Sequence, residues 1–148
     1  MPKKVQYPWY YNGTPLQTVP EGYVGFVYLI TYTGNKTSKQ YYIGKKHFYS
    51  TKTVRPTKKE LLNKPKSRPR KVTTESNWKQ YFGSNQELKK LVSQEDSSQF
   101  TRVILCLCRT KRELTYMEVE YLVKHNVLRK QEYFNDNVLG KFFRRDLV

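Results

Sequence analysis

From Tyr23 to Tyr32 the chain reads YVGFVYLITY, apolar at odd and even positions alike and rich in β-branched and aromatic residues. Such a run predicts a strand covered on both faces. Turn residues Thr33, Gly34, Asn35 and Lys36 follow, and KQYYIGKK returns as a second strand, so residues 24–45 predict a hairpin. Ahead of it, Pro2, Pro8, Pro15 and Pro20 with Gly13 and Gly22 break every helix and predict an extended arm over residues 1–22, pinned by Trp9, Tyr10 and Tyr11. Behind it, Pro56, Pro65 and Pro69 interrupt a polar stretch that reads as a long loop over 51–74, with one helical turn from Glu60 to Asn63.

Helical signals come next. Trp78, Tyr81 and Phe82 are spaced for one face, and Ser84 with Glu87 forms a capping box before LKKLV. QFTRVILCLC, residues 99–108, predicts a third strand. Thr110 and Glu113 form a second box, opening a helix that shows Leu114, Met117, Tyr121 and Leu122 on one face and ends at Asn126. The order β-β-α-α-β-α predicts an α+β domain over residues 23–135, a three-stranded antiparallel sheet flanked by helices, with a basic tail over 136–148. No internal repeat occurs.

Charge narrows the partner. The 148 residues carry 28 Lys plus Arg against 12 Asp plus Glu, a net +16. Twelve of those cations, against Glu60 and Glu75, lie between Lys45 and Lys79, which places +10 there. A polyanion releases counterions on such a patch, so nucleic acid is the leading partner, although a charge run alone fits a solvated loop equally well. No apolar run is long enough to span a membrane, and the first residues lack the apolar stretch of a signal peptide, which predicts a cytoplasmic protein. Cys106 and Cys108, two apart on a strand, read as reduced core thiols. Metal-ligand clusters, phosphate-cradling glycine loops and Ser/His/Asp arrangements are missing from the sequence. What remains is a hairpin loaded with phenols that ends in a glycine and two lysines.

That hairpin, GFVYLITYTGNKTSKQYYIGKKHF, resembles the signature of the GIY-YIG nucleases: Phe26-Val27-Tyr28 stands in place of Gly-Ile-Tyr, and Tyr42-Ile43-Gly44 is retained in full. The two tyrosines lie a few residues further apart than is usual in the family. ESNWKQYFGSNQELKKL resembles a segment recurrent in small bacteriophage members, and the helix with Glu118 followed by EYFN matches the family's acidic helix and downstream Asn135. The resemblance covers residues 24–135. It implies a GIY-YIG-like fold and a phage-encoded endonuclease, active in the host cytoplasm, that hydrolyses DNA phosphodiesters with one divalent metal, Mg2+ or Mn2+, held by Glu118.

The same resemblance assigns roles. If position 32 faces 40, then 28 faces 44 and 30 faces 42, so Tyr28 and Tyr42 share a face. Tyr28 is the expected general base, its phenolate favoured by nearby lysines and the metal, with Tyr42 hydrogen-bonding the water or the phosphate. Gly44 lets the backbone approach a phosphate, and Lys45 or Lys46 stabilises the transition state. The family's arginine has no obvious counterpart: Arg55 and Lys52 are nearest by spacing. His47 is a candidate acid or phosphate ligand. Glu118 and Glu120 point about 200° apart on a helix, so one faces the site, and Asn135 orients water or ties the helix to the hairpin. Lys52, Lys58, Lys59, Lys64, Lys66, Arg68, Arg70, Lys71, Trp78 and Lys79 would hold double-stranded, or branched, DNA by its backbone. A non-catalytic basic nucleic-acid-binding protein and a nuclease selective for branched structures are the alternatives, and a homodimer is among the assemblies left open.

If the basic stretch holds duplex backbone, log affinity should fall linearly with log salt by about 0.9 per phosphate contacted. Neutralising three of its lysines should flatten that slope. An unchanged slope in salt-titrated binding would place the DNA elsewhere.

Overall fold

A computed structural model of the chain describes residues 7–34 and 38–147; residues 1–6 of the expected arm, turn residues Asn35 and Lys36, and the last residue of the tail lie outside the described residues. The expected hairpin is central. β3 (Gly25–Tyr32) and β4 (Gln40–His47) pair antiparallel with Tyr28 opposite Gly44, Ile30 opposite Tyr42 and Tyr32 opposite Gln40. β7 (Phe100–Cys108) pairs antiparallel on the other side of β3. A bulge there sets Val27 opposite Cys106 but Tyr28 opposite Ile104, leaving Leu105 as the extra residue.

The sheet has five strands rather than the three expected, β1 (Trp9–Tyr11) and β2 (Thr14–Leu16) extending it beyond β7 in the order β2-β1-β7-β3-β4. Part of the stretch read as an arm supplies these two: they form a hairpin turned at Asn12 and Gly13, and β1 runs parallel to β7. The prolines forbade helix but not this edge, for Pro15 lies on the outermost strand, where a missing N–H is tolerated. Trp9 is the anchor. Its indole N–H donates to the Trp78 carbonyl at 2.6 Å, and its ring lies 5.0 Å from Phe26 and 5.1 Å from Tyr28.

The basic stretch is a β-ribbon rather than a loop. β5 (Tyr49–Val54) and β6 (Arg70–Glu75) pair antiparallel, and α1 (Lys58–Asn63) sits at the tip behind a Thr57–Glu60 capping box. Proline breaks helices and central strands, yet Pro56, Pro65 and Pro69 fall between these elements, while the threonines and valines within them favour strand.

Both faces of the main sheet are covered. Even positions of β3 (Phe26, Tyr28, Ile30, Tyr32) pack with Trp9, Phe48, Trp78 and Leu88 under a 3₁₀ turn (Trp78–Gln80) and α2 (Gln86–Gln94). On the other face Val27, Ile43 and Cys108 meet Leu114 and Leu122 of α3 (Lys111–Lys124), which Thr110 caps. Cys106 and Cys108 are free thiols 3.9 Å apart, and burial pushes the Cys108 thiol up to about 12. After α3, β8 (Asn137–Val138), β9 (Phe142–Phe143) and α4 (Arg144–Leu147) follow in what was read as a tail. The Arg144 guanidinium donates to the carbonyls of Val127, Lys130, Tyr133 and Asn135, so this segment fastens the chain that follows α3. No helix among the described residues is long and apolar enough to cross a membrane.

Replacing Trp9 by alanine should cost about 3–5 kcal/mol in urea unfolding, as for a large core aromatic. Leu62→Ala, at an 82% exposed position on α1, should stay within about 0.5 kcal/mol. Equal small losses would mean that the N-terminal hairpin is not part of the core.

Candidate active site at the edge of β4

β4 is an outer strand, so the polar backbone groups of alternate residues point away from β3 and need partners. At Tyr41 the chain itself answers: its N–H donates to the Glu132 carbonyl at 2.8 Å, and its carbonyl accepts from Phe134 N at 2.7 Å. At Ile43 the partner is a side chain. Asn135 Oδ1 accepts from Ile43 N at 3.1 Å, and Asn135 Nδ2 donates to the Ile43 carbonyl at 2.7 Å. At Lys45 the Glu118 carboxylate stands beside the strand, its charge favoured by the Lys45 ammonium and N–H. Closing this edge therefore carries Asn135 and Glu118 to the hairpin.

A cleft of about 1030 Å³ lies along the edge, lined by Tyr42, Lys45, Glu118 and Asn135, with Ser84, Asn85, Glu87 and Asp136 among the other walls. Tyr28 lies beside it, 1% exposed. A Cβ on Gly44 would stand 2.5 Å from the Tyr28 hydroxyl and 3.1 Å from the Tyr42 ring. The space that glycine leaves thus belongs to the Tyr28 phenol, and not to an approaching phosphate as expected from sequence.

Tyr28 and Tyr42 project together as the register requires, with ring centroids 6.1 Å apart. Their electrostatics run opposite to expectation. Burial, with the neighbouring phenols of Tyr42 and Tyr81 and the Glu118 carboxylate adding to it, raises the Tyr28 phenol well above its ordinary value. Tyr42 is also raised by burial, although its hydrogen bond with Ser84 Oγ at 3.0 Å opposes this. The lysines were expected to pull these values down, yet their ammonium groups lie elsewhere. Lys45 points to the α3 face, where its Nζ donates to Thr115 Oγ1 at 2.9 Å; Lys46 points to the other, 4.3 Å over the Tyr81 ring, its own pKa lowered by burial. Of the pair, Lys45 lines the cleft.

Glu118 is the carboxylate that faces the site, while Glu120 is exposed. Burial raises its pKa, opposed by the Lys45 ammonium and the Lys45 N–H. Among the described residues no group of three His, Cys, Asp or Glu side chains could cage a metal. Glu118, with Glu87 and Asp136 on other walls of the wide cleft, offers hard oxygen donors of the kind that suit a hydrated divalent cation, which keeps several waters and takes substrate oxygens as further ligands.

Other expectations do not meet here. His47 lies on the α3 side, its pKa lowered by burial and then by Lys45, Lys111 and Lys46, and it does not line the cleft. Arg55 is exposed just past β5, and neither it nor Lys52 lines the cleft. Trp78 is fully buried, its indole N–H donating to Glu75 Oε1 at 2.9 Å, so it cannot stack on a base. Asn135 is 5% exposed with both ends of its carboxamide used on Ile43, which leaves it a clamp rather than a water ligand.

The sequence reading missed Ser84, Asn85 and Arg102. Asn85, rather than Ser84, caps α2: it accepts from Leu88 N at 3.0 Å while donating to the Phe134 carbonyl at 2.9 Å. A two-ended carboxamide can do both, which frees the serine for Tyr42. Arg102, 2% exposed, is held between the rings of Trp9 and Phe82, donating to the carbonyls of Tyr7 and Tyr81; burial pulls its pKa down to about 10. It braces the loop carrying Tyr81, and nothing local in the sequence marks a strand arginine as buried.

A family model described as "Putative endonuclease segE, GIY-YIG domain" matches residues 9–138. No curated protein and no solved structure matches the chain.

Asn135→Ala should cost about 1–3 kcal/mol, since two buried backbone groups of Ile43 lose their partners. Gly44→Ala should cost a similar amount through the clash with Tyr28. Urea unfolding measures both, and a neutral Asn135→Ala would refute the clamp.

Proposed function

The chain belongs to the GIY-YIG endonuclease family of segE, and from that premise we propose that it hydrolyses DNA phosphodiester bonds in the cleft at the β4 edge with one magnesium ion on Glu118. The observation that carries this reading is the convergence of Tyr42, Lys45, Glu118 and Asn135 on one cleft beside Tyr28. The segment from Glu75 to Leu91 supports a bacteriophage origin.

Each residue is given a task its surroundings suit. Tyr42, kept protonated by its raised pKa, donates a hydrogen bond to a non-bridging phosphate oxygen. Lys45, braced by Thr115, places an ammonium where negative charge grows on the phosphorus oxygens. Tyr28, whose hydroxyl fills the space beside Gly44, takes the proton of the attacking water; burial makes its phenolate scarce at neutral pH but a strong base once formed. Asn135 holds the Ile43 backbone, and with it the line of Tyr42, Gly44 and Lys45. A bound magnesium ion supplies Lewis-acid stabilisation to the phosphate.

The pH profile follows from the signs. Glu118 must be ionised to hold a cation. Its raised pKa therefore puts the acid limb of nicking above the pH at which an ordinary glutamate, near 4.5, would set it. On the alkaline side, a base whose pKa lies well above neutrality gives rates that climb about tenfold per pH unit. Nicking of supercoiled plasmid with magnesium should drop at least ~10²-fold in Glu118→Gln and Tyr42→Phe, and Tyr28→Phe should lose both rate and the alkaline rise. An alkaline rise that persists in Tyr28→Phe would move the base elsewhere, and full activity in Glu118→Gln would refute the metal assignment.

A further inference from the structure

The β5–α1–β6 ribbon is exposed on both faces, from Thr51 to Arg55 and again from Arg68 to Glu75. Its register sorts the side chains into two unlike sets. Lys52 faces Val72 and Val54 faces Arg70, so one face shows two cations alternating with two valines, which are 39% and 36% exposed. The other shows Thr51, Thr53, Lys71 and Thr73, with Thr51 and Thr73 hydroxyls hydrogen-bonded at 3.1 Å.

Exposed valines between cations suit no solvent face, but they match a specific surface. The major groove of duplex DNA presents guanine O6 and N7 to lysine or arginine and the thymine methyl to apolar side chains, and it admits a two-stranded ribbon. Six residue pairs give the ribbon about 20 Å of length. It is preformed at both ends. At the base, Ser76 N donates to the Phe48 carbonyl at 2.8 Å and Ser76 Oγ to the His47 carbonyl at 2.6 Å; at the tip, Thr57 and Glu60 cap α1 and Ser67 Oγ donates to the Lys64 carbonyl at 2.7 Å.

We propose that this ribbon is a base-reading arm that enters the major groove with Lys52, Val54, Arg70 and Val72 against the base edges, so that the enzyme prefers particular sequences. The proposal rests on DNA being the substrate and deepens that reading, since a charged loop would only hold the backbone. Chain length sets the offset. From Lys45 at the cleft to Val54 at the far end of β5 is at most about 30 Å. At ~3.4 Å per base pair, the bases read lie within about ten pairs of the cut.

Dimethyl sulfate footprinting of the wild-type protein on its preferred cut sites, in EDTA to hold cleavage off, tests the arm. Guanine N7 atoms within about ten pairs of the nick should be protected. Lys52→Ala/Arg70→Ala should lose that protection and about tenfold of the preference for these sites over random duplex. Thr51→Ala/Thr73→Ala, on the opposite face, should keep both. Unprotected N7 atoms, an equal loss in the two double variants, or no complex at all would overturn the arm. If the protein cuts nothing, the same footprint is read on duplexes selected by binding, and N7 protection there, lost in Lys52→Ala/Arg70→Ala and kept in Thr51→Ala/Thr73→Ala, would overturn the nuclease assignment and leave the arm standing.

Discussion

An outer strand with unpaired backbone groups is a liability, and this fold satisfies β4 with two partners in succession, the 132–134 backbone at Tyr41 and the Asn135 carboxamide at Ile43, while the Glu118 carboxylate stands next along the edge beside Lys45. Residues more than seventy positions away are thereby brought to the hairpin. The edge left by the sheet is what assembles the cleft, with the 132–135 segment along one side of it and Glu118 of α3 on another. Arg144 reinforces the arrangement by gathering four carbonyls of the segment that carries Asn135.

Strand alternation then divides the chemistry. Phenols and aromatic core occupy one face of the hairpin; Lys45, with α3 and its glutamate, occupies the other. The two sets meet around the strand edge, where the Tyr28 hydroxyl fills the space beside Gly44. A side chain there would evict the phenol from its place. This explains why a motif of three residues carries so much of the site: a donor, a spacer with no Cβ and a backbone group for the clamp lie in a row.

What the sequence made legible was local. Parity along β3 and β4 paired Tyr28 with Tyr42, the capping residues marked α3, and helical geometry separated Glu118 from Glu120. What it hid was non-local. The parallel pairing of β1 with β7 joins residues some ninety positions apart, so the prolines around it spoke only for irregular chain. The ribbon was masked by its charge, although its threonines and valines alternate as strands do. The sign of the tyrosine shifts was missed because counting nearby lysines ignores where their ammonium groups go: one to Thr115, the other over Tyr81. Burial then dominates.

Hydrolysis in this fold requires phosphate and metal to meet at the β4 edge. Crystals grown with a short duplex and manganese in place of magnesium, measured at the manganese absorption edge, would locate both. An anomalous peak about 2 Å from a Glu118 carboxylate oxygen, with a phosphate within hydrogen-bond reach of Tyr42, is the predicted result. A peak on other carboxylates, with the DNA backbone lying away from this edge, would contradict it.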